Sequence, residues 1–402
     1  MIVTPTPLDQ KGSKTAILQC LHKYGAITRV RLAELTGLSR ATISTAVSEL
    51  IGLELVRESK ERLNTGGRPA VTLKLKSDTR LVIGADLDPD AWTIGVFDLR
   101  FNQIAISRVP IQDRSIASVI RLLVDQVKSF IQDFGKRLLP MIGIGLPGLI
   151  DNRNGMIISA SHFGWSKVAF SGQIREELGW PAVILNHNKA RGLAECRYGA
   201  GRDYHHMIYI GVGRGIAGGI FYDRQLVEGA FNGAGEIGHI TMVPNGILCS
   251  CGNHGCLQAY SSGSALELQA RKKVRLSLDE HTSLTSDEDM MQLRYEKVCL
   301  AADKGDWLAK EIVEEAAQYL GIAMANLVNI INPEAFILGG SVPRNSKLFV
   351  DTALKTMRQR SVSQLSQTTE VNIAQFNEFG GALGAANFAM DELFSFPLCV
   401  EE

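Results

Sequence analysis

The chain reads Glu236-Ile237-Gly238-His239 and, ten residues after that histidine, Cys249-Ser250-Cys251-Gly252-Asn253-His254-Gly255-Cys256-Leu257-Gln258. Three of its seven cysteines fall within eight residues here. Three thiolates and one imidazole saturate a tetrahedral zinc ion and leave no position for water. The pattern therefore predicts a structural zinc ion that shapes a loop and takes no part in catalysis. Its expected ligands are His239, Cys249, Cys251 and Cys256.

Two other interpretations of these cysteines are weaker. The thiols could be buried apolar fillers beside a core histidine, but such dense clustering disfavours that interpretation. A disulfide is disfavoured because we expect no export signal on this chain. Glu236 lies three residues before His239, so the backbone that holds the metal would also orient a carboxylate able to accept hydrogen bonds from hydroxyl groups.

Length and composition set the broad class of the protein. A chain of 402 residues with 45% hydrophobic residues can bury a large core and is expected to form two or three domains. No apolar run reaches bilayer length, and Met1 to Lys14 lack the apolar core of a signal peptide. We therefore expect a cytoplasmic protein without membrane insertion.

A net charge of zero conceals an uneven distribution. Up to Lys76 the chain has twelve Lys and Arg against six Asp and Glu, which leaves thirty against thirty-six in the remainder. A basic module on an acidic body is typical of an attached nucleic-acid-binding domain, although a solvated basic face would give the same count.

Apolar spacing in the basic segment predicts three short helices. The first begins at Ser13, Thr28 caps the second, and Ser39 caps the third after a turn at Gly37. This spacing is typical of a helix-turn-helix.

The third helix is expected to be a recognition helix, because Ile43, Val47 and Leu50 place its apolar residues on one face. The remaining short polar side chains can enter a DNA major groove and reach base edges. They belong to Arg40, Thr42, Ser44, Thr45 and Ser48.

Two short alternating strands, Leu55-Val56 and Val71-Thr72-Leu73, follow this helix and predict a winged helix. Arg68, between Gly66-Gly67 and Pro69, would suit a narrow minor groove. A plain hairpin and linker role for this segment is about equally well supported. The whole pattern favours a domain that binds double-stranded DNA.

Beyond Ser77, strands and helices alternate. Strands are predicted at 81–85, 93–97, 142–145, 182–185 and 207–212, and helices at 116–134, 189–198 and 308–329. This α/β order predicts two lobes with a cleft between them. The polar span 271–295 has little periodicity and is expected to be a surface excursion.

With these motifs assembled, the chain resembles transcriptional regulators of the ROK family (repressor, open reading frame, kinase) from about Ser13 to about Ala389. The resemblance rests on the zinc motif and on further short motifs. These are Pro147-Gly148, Gly164-Trp165, Asn332-Pro333, Leu338-Gly339-Gly340 and Gly380-Gly381-Ala382-Leu383-Gly384-Ala385-Ala386.

The family implies an α/β body with an actin-like, two-lobed sugar-kinase fold built from ribonuclease-H-like halves, preceded in its repressors by a winged helix-turn-helix. The expected divisions are 1–76 for the DNA-binding domain, 77–190 for the first lobe and 191–402 for the second. A C-terminal helix could return to the first lobe. The family also implies a homodimer or homotetramer and a structural zinc ion.

The resemblance further implies that sugar hydroxyls bind in the cleft. Carried over residue by residue, the sugar-binding set is Asn186, His187, Glu236, His239 and Gln258. Because carboxylates and amides can bind two hydroxyls at once, such a set suits a vicinal diol.

Two departures from the family's kinases predict that this chain is not an enzyme. Kinases hold ATP phosphates with an Asp-x-Gly-Gly-Thr turn, whereas this chain has Asp86-Leu87-Asp88-Pro89-Asp90, which loses an amide donor and adds repelling carboxylates. His187 stands where kinases carry the aspartate that accepts the sugar proton, so we assign no catalytic residue and expect no ATP.

The cleft residues also predict a class of effector. Gln258 replaces a glutamate common in relatives, and His187 and Lys189 are expected to make the wall less acidic. These changes favour a phosphorylated or acidic sugar, or a polyol with unusual hydroxyl geometry, over plain glucose.

The predicted function is a sugar-responsive regulator, in its commonest form a repressor of carbohydrate-utilisation genes that an effector releases from operator DNA. Two alternatives stay open. One is an ATP-dependent sugar kinase with residual activity, and the other is a regulator controlled by a protein partner, with a vestigial sugar pocket.

Overall fold

The computed structural model describes residues 13–59, 71–77, 79–276, 282–285, 293–377 and 379–395. The first part is a winged helix-turn-helix, as the sequence predicts. Its elements are α1 (Ser13–Tyr24), β1 (Ile27–Thr28), α2 (Arg29–Thr36), α3 (Arg40–Gly52), β2 (Val56–Ser59) and β3 (Thr72–Leu75). The three strands form one antiparallel sheet in the order β1-β3-β2.

The caps predicted for the second and third helices are confirmed. The Thr28 hydroxyl accepts a hydrogen bond from the Arg31 amide, and the Ser39 hydroxyl accepts one from the Thr42 amide. Gly37 ends α2 with a φ of 68°, a left-handed conformation that glycine adopts without a Cβ clash.

The first half of the body is built on a five-stranded sheet of order β11-β7-β4-β5-β6, with a smaller antiparallel sheet of β8, β9 and β10 beside it. Strands β4, β7 and β11 are parallel, and β5 and β6 run antiparallel to their neighbours. The elements are β4 (Leu81–Leu87), β5 (Ala91–Asp98), β6 (Gln103–Pro110), α4 (Ile116–Phe134), β7 (Leu138–Leu146), β8 (Leu149–Asp151), β9 (Met156–Ala160), β10 (Trp165–Val168), α5 (Phe170–Leu178) and β11 (Ala182–Asn186).

A second five-stranded sheet, of order β14-β13-β12-β15-β16, forms the other half of the body. Helix α6 (His187–Tyr198) leads into it. The elements that follow are β12 (Met207–Val212), β13 (Ile216–Tyr222), β14 (Gln225–Leu226), α7 (Gln258–Ser261), α8 (Gly263–Leu276), α9 (Tyr295–Asp303), α10 (Trp307–Ile331), β15 (Ala335–Gly339), α11 (Ser341–Asn345), α12 (Lys347–Arg360), α13 (Ser363–Ser366), β16 (Glu370–Ile373) and α14 (Gly380–Ser395). The predicted α/β class is confirmed.

The last helix, α14, packs against β4 and β7 of the first sheet. Two glycines make this close approach possible. A Cβ at Gly84 would lie 2.0 Å from the Ala382 carbonyl oxygen, and a Cβ at Gly143 would lie 1.8 Å from that of Ala385. Any larger residue at either position would push the helix off the sheet.

The winged helix and the body share one hydrophobic core. Ile17 and Leu21 of α1 belong to the same buried cluster as Met390 and Leu393 of α14 and Phe97 of β5. Because α14 lies between α1 and the first sheet, this helix connects the DNA-binding module to the body.

The surface excursion predicted over 271–295 is wrong where the structure describes it. The residues up to Leu276 continue α8, and Leu284, Leu293 and Tyr295 are buried in the core of the second half. These apolar residues are too widely spaced to give a periodic signal, so the sequence pattern missed them.

Helix α10 is the longest described helix, at 25 residues. It carries several charged side chains, at Lys310, Glu311, Glu314 and Glu315. Across the described ranges, no helix combines the length and the apolar character needed to cross a bilayer.

Candidate functional site

A cleft of about 1070 Å³ is lined by residues from both halves of the body. Its walls include the turn after β4, the first turn of α6, the hairpin between β12 and β13, and the loop that leads into α7. The structure places all five residues of the expected sugar-binding set along this cleft. They are Asn186, His187, Glu236, His239 and Gln258.

The four residues expected to bind zinc lie together at one end of the cleft. Cys251 Sγ is 3.7 Å from Cys256 Sγ, and Cys249 Sγ is 3.7 Å from His239 Nδ1. All four possible ligand atoms lie within 4.8 Å of one another. In a tetrahedral site with Zn–S bonds of about 2.3 Å, two sulfur atoms are about 3.8 Å apart. The cluster therefore has the dimensions that fit a zinc ion.

The surroundings of the Cys249 thiol lower its pKa and so favour metal binding. Burial raises the pKa of this thiol, but hydrogen bonds from the Cys251 amide and the Gln258 side chain outweigh it and hold the pKa of Cys249 at about 6. Since the thiolate is the form that binds metals, this environment favours a ligand already deprotonated at neutral pH.

His239 faces the cysteine cluster with one ring nitrogen and the cleft with the other. Its Nδ1 points to Cys249, whereas its Nε2 lies 3.8 Å from Glu236 Oε2. Burial raises the pKa of Glu236, and the charges of His239 and Lys189 oppose that rise. A ligand hydroxyl that contacts this wall would meet an imidazole nitrogen and a carboxylate side by side.

Gln258 joins the cysteine cluster to the cleft. Its Nε2 donates to Cys249 Sγ at 3.2 Å and to Ser250 Oγ at 3.1 Å, which a glutamate carboxylate could not do. Its Oε1 lies close to Gly215 on the cleft wall: a Cβ atom added to that glycine would be 3.3 Å from it. The sequence analysis considered only the charge lost when glutamine replaces glutamate, so it did not predict the hydrogen bond from Gln258 to Cys249.

Asn186 caps α6 and is largely committed to that role. Its Oδ1 accepts from the Asn188 and Lys189 amides at 2.9 and 3.4 Å, and its Nδ2 donates to the Gly148 carbonyl at 2.8 Å. One N–H of the side-chain amide therefore remains for a ligand. Lys189 Nζ donates to the Asn232 carbonyl at 2.5 Å and the side chain does not itself line the cleft, but its charge acts on the Glu236 carboxylate, which does.

At the other end of the cleft, Arg191 binds two carboxylates. Its Nε and Nη2 donate to Asp86 Oδ2 at 3.1 and 2.7 Å, and Nη2 also donates to Asp88 Oδ1 at 2.7 Å. Burial raises the pKa of the fully buried Asp86 to about 7, against the opposing charge of Arg191. The sequence reasoning missed Arg191, although its position four residues after His187 puts both on one face of α6.

His187 lies beside this ion pair. Its Nδ1 is 3.9 Å from Asp86 Oδ1 and 4.0 Å from Asp88 Oδ1. Burial and the charge of Arg191 lower the pKa of His187 to about 3. The imidazole is therefore neutral at physiological pH.

Two further cleft residues were missed by the sequence reasoning. They are His162, whose Nε2 would be 4.0 Å from a Cβ atom added to Gly215, and Tyr295. The Tyr295 hydroxyl is 2.7 Å from Ser341 Oγ, which also lines the cleft. Neither residue stands in a motif that would have marked it. Trp165, of the Gly164-Trp165 motif, is packed in the core of the first half.

The expected DNA-contacting residues of α3 differ in how free their side chains are. Arg40, Ser44, Thr45 and Ser48 are exposed, whereas Thr42 is half-buried with its hydroxyl 2.8 Å from that of Ser39. The Ser44 and Ser48 hydroxyls donate to the carbonyls of residues 40 and 44 in their own helix. Arg68 lies outside the described residues.

Comparison with known proteins supports this organisation. The model of the ROK family matches residues 82–392. The chain belongs to the ROK family. A model described as winged helix-turn-helix DNA-binding matches residues 12–57 of this ROK protein.

One sequence relative and two solved structures are informative. The ROK protein is 29% identical over 392 residues to the xylose repressor of Caldicellulosiruptor bescii, which covers 96% of this chain and 97% of that one. It superimposes on a ROK family transcriptional regulator, a homologue of the E. coli MLC protein, with a TM-score of 0.83, 25% identity and 96% coverage of both chains. A ROK family glucokinase from Streptomyces griseus, in complex with glucose and AMPPNP, gives a TM-score of 0.68 and 28% identity over 77% of this chain and 99% of that one.

Proposed function

We propose that this ROK protein is a sugar-responsive transcriptional regulator, in its simplest form a repressor, that binds operator DNA through α3 and a sugar in the cleft. The observation that carries the proposal is the position of α14. This helix shares a core with α1, and its start lies against the buried Asp86, because a Cβ at Gly381 would be 1.9 Å from Asp86 Oδ2. Asp86 is in turn joined through Arg191 to Asp88, which lines the cleft. A shift of β4 or of Asp86 would therefore reach the surface on which the winged helix rests.

Helix α6 gives a second connection from the cleft to α14. It begins at the candidate sugar site with Asn186 as its cap, and near its end Arg197 donates to Asp391 and Asn387 of α14. A ligand that binds one arrangement of these helices more tightly than another would change the affinity for DNA, and DNA would change the affinity for the ligand by the same factor.

The proposed sugar-binding end of the cleft is the wall formed by Glu236, His239 and Gln258. The carboxylate accepts hydrogen bonds from hydroxyl groups, and the imidazole nitrogen turned to the cleft can donate or accept. A zinc ion on the cysteine cluster would hold the His239 ring by Nδ1 and leave Nε2 for the ligand. Its role would be structural, because four protein ligands leave no open position on the ion.

Our first candidate for the effector is a neutral sugar. The relatives named above point to different sugars, xylose for the repressor and glucose for the kinase. A sugar phosphate is the second candidate, because Arg214 and Arg294 both line the cleft and could bind a phosphate. Lys189 lies outside the lining of the cleft and would not contact an acidic ligand directly.

We further propose that the protein does not transfer phosphate from ATP to the bound sugar. Arg191 is already bound to Asp86 and Asp88, so its charge is not available to the phosphates of ATP. Burial lowers the pKa of His187 to about 3. A base with so low a pKa removes a proton from a hydroxyl group poorly at neutral pH.

A homodimer or homotetramer completes the proposal, since paired winged helices read two half-sites at a fixed spacing. Operator binding also fits the expected cytoplasmic location.

Calorimetry combined with a nucleotide assay tests the cleft assignment. Zinc-loaded protein is titrated with xylose, glucose and glucose 6-phosphate, and ADP release is followed with ATP and each sugar. We expect one of these ligands to bind without ADP release above the blank. Sustained turnover would favour the kinase alternative. Operator binding by folded protein that binds no sugar would favour control by a protein partner.

A further inference from the structure

Two buried polar atoms at the Arg191 end of the cleft have no hydrogen-bond partner among the described residues. They are Asp86 Oδ1 and His187 Nδ1. The Asp86 side chain is fully buried, and the two atoms are 3.9 Å apart, too far for a direct hydrogen bond. A buried carboxylate oxygen without a partner is costly, so this geometry fits a group that binds both atoms at once.

Asp88 adds a third possible ligand to the same point. Its Oδ1 is 4.0 Å from His187 Nδ1, and one ligand atom from each of the three residues lies within 4.8 Å of the others. Two atoms that each bind one metal at about 2.1 Å can be no more than about 4.2 Å apart. The two distances from His187 meet that limit, and the two carboxylates lie within 4.8 Å of each other, so the set would have to contract to close on one ion.

Arg191 would hold the carboxylate ligands of such a site in position without binding the metal itself. Its guanidinium holds Asp86 by Oδ2 and leaves Oδ1 facing His187. Carboxylates that bind metals are generally fixed by hydrogen bonds of this kind. His187 Nδ1 has no hydrogen-bond partner among the described residues, so its lone pair is available to a metal when the ring proton is on Nε2.

We propose that Asp86, Asp88 and His187 form a second metal site, separate from the cysteine cluster, for a first-row divalent transition ion. One imidazole and two carboxylates suit ions from Mn²⁺ to Zn²⁺, whereas Mg²⁺ prefers oxygen ligands and keeps much of its water. Asp88 and His187 line the cleft, so the open positions of the ion would face a bound ligand. That last point rests on the proposed sugar site, but the metal site itself does not.

Electron paramagnetic resonance with Mn²⁺ tests the proposal on full-length protein that carries one zinc ion per chain, so that the cysteine cluster is filled and the proposed second site is free. Loss of the free Mn²⁺ signal counts bound ions, and Mn²⁺ competes poorly for thiolate ligands. We expect one Mn²⁺ per chain. His187→Gln and Asp88→Asn each remove one ligand and should weaken Mn²⁺ binding at least about tenfold. Asp88 is half-exposed and should tolerate the change even if His187→Gln fails to fold.

Asp90→Asn is the matched control. Asp90 lies in the same turn, pairs with Arg114, and is not part of the cluster, so this variant should bind Mn²⁺ like the wild type. Folding is checked by circular dichroism and zinc content. Absence of bound Mn²⁺ at millimolar concentration in folded wild type would overturn the proposal, as would unchanged binding in folded Asp88→Asn. Stoichiometric displacement by an equal concentration of Mg²⁺ would overturn the assignment to a transition ion.

Discussion

Arg191 shows how one residue defines a whole end of the cleft. It binds Asp86 and Asp88 together, at the turn that stands where the family's kinases carry the Asp-x-Gly-Gly-Thr motif. The two aspartates stood out in the sequence as a departure from the kinase motif. Their partner did not, because no short motif connects residues about a hundred positions apart that meet only in the folded chain.

Arg191→Ala should destabilise the protein, because it leaves a buried carboxylate without its counter-charge. At pH 8 we expect a loss of about 3–5 kcal/mol in the free energy of unfolding. The loss should be smaller at pH 5.5, because burial raises the pKa of Asp86 to about 7 and the native state can then take up a proton that the unfolded state does not hold.

Urea unfolding at the two pH values measures this effect. Arg202→Ala is the control, since its pair with Asp203 is exposed and should contribute about 1 kcal/mol or less. Equal losses for the two arginine variants would contradict the assignment of a buried ion pair.

Cys251→Ser should lower both the zinc content and the sugar affinity. The loop that brings Cys251 to the cluster also carries Gln258, and His239 faces cluster and cleft at once. We expect at least about a tenfold loss of sugar affinity, measured by calorimetry beside zinc analysis. Cys20→Ser, outside the cluster, should change neither value. A variant that loses zinc and keeps its sugar affinity would show that the metal does not support this wall.

At the scale of elements, the sequence predicted those features that depend on neighbouring residues. The caps at Thr28 and Ser39 are local hydrogen bonds, and α4 begins and ends at the predicted residues. Strand β6 was missed because five of its eight residues are exposed on an edge strand and give a weak apolar signal. The three buried residues between 284 and 295 depend on distant partners, which no local pattern reveals.

Within α3, the neighbouring side chains of Ser44 and Thr45 differ in whether their hydroxyl groups already make a hydrogen bond within the protein. The Ser44 hydroxyl donates to the Arg40 carbonyl, whereas no hydrogen bond of the Thr45 side chain is found among the described residues. We expect Thr45→Ala to cost about 1 kcal/mol in operator binding and Ser44→Ala to cost less. Fluorescence anisotropy on operator and unrelated DNA separates specific from general loss. A larger effect for Ser44→Ala would contradict this placement of the recognition face.

At the scale of the whole molecule, the shared core makes the winged helix and the body mechanically dependent. The division at residues 76 and 190 stays a prediction, and α14 complicates it, because this C-terminal helix packs on the first sheet. The sequence marked the glycines and alanines of this helix as a motif. It could not show that the helix lies between α1 and the first sheet, since these contacts join residues near the two ends of the chain.

Asp391→Ala should weaken communication between the cleft and DNA without removing either site. Asp391 holds Arg197 at the end of α6, far along the chain from the candidate sugar residues. We expect sugar affinity within about twofold of wild type, and a smaller effect of sugar on DNA affinity than the fivefold or more typical of coupled sites. Asp351→Ala, which breaks a surface pair on α12, is the control. Full coupling in Asp391→Ala would exclude this route.

The most direct test is the anisotropy of labelled DNA from upstream of the protein's own gene, titrated with zinc-loaded protein with and without each sugar and sugar phosphate. The account predicts specific binding whose dissociation constant rises by about fivefold or more with one of these ligands, without added ATP. Operator binding that stays unchanged when calorimetry shows the cleft saturated with that ligand would contradict it.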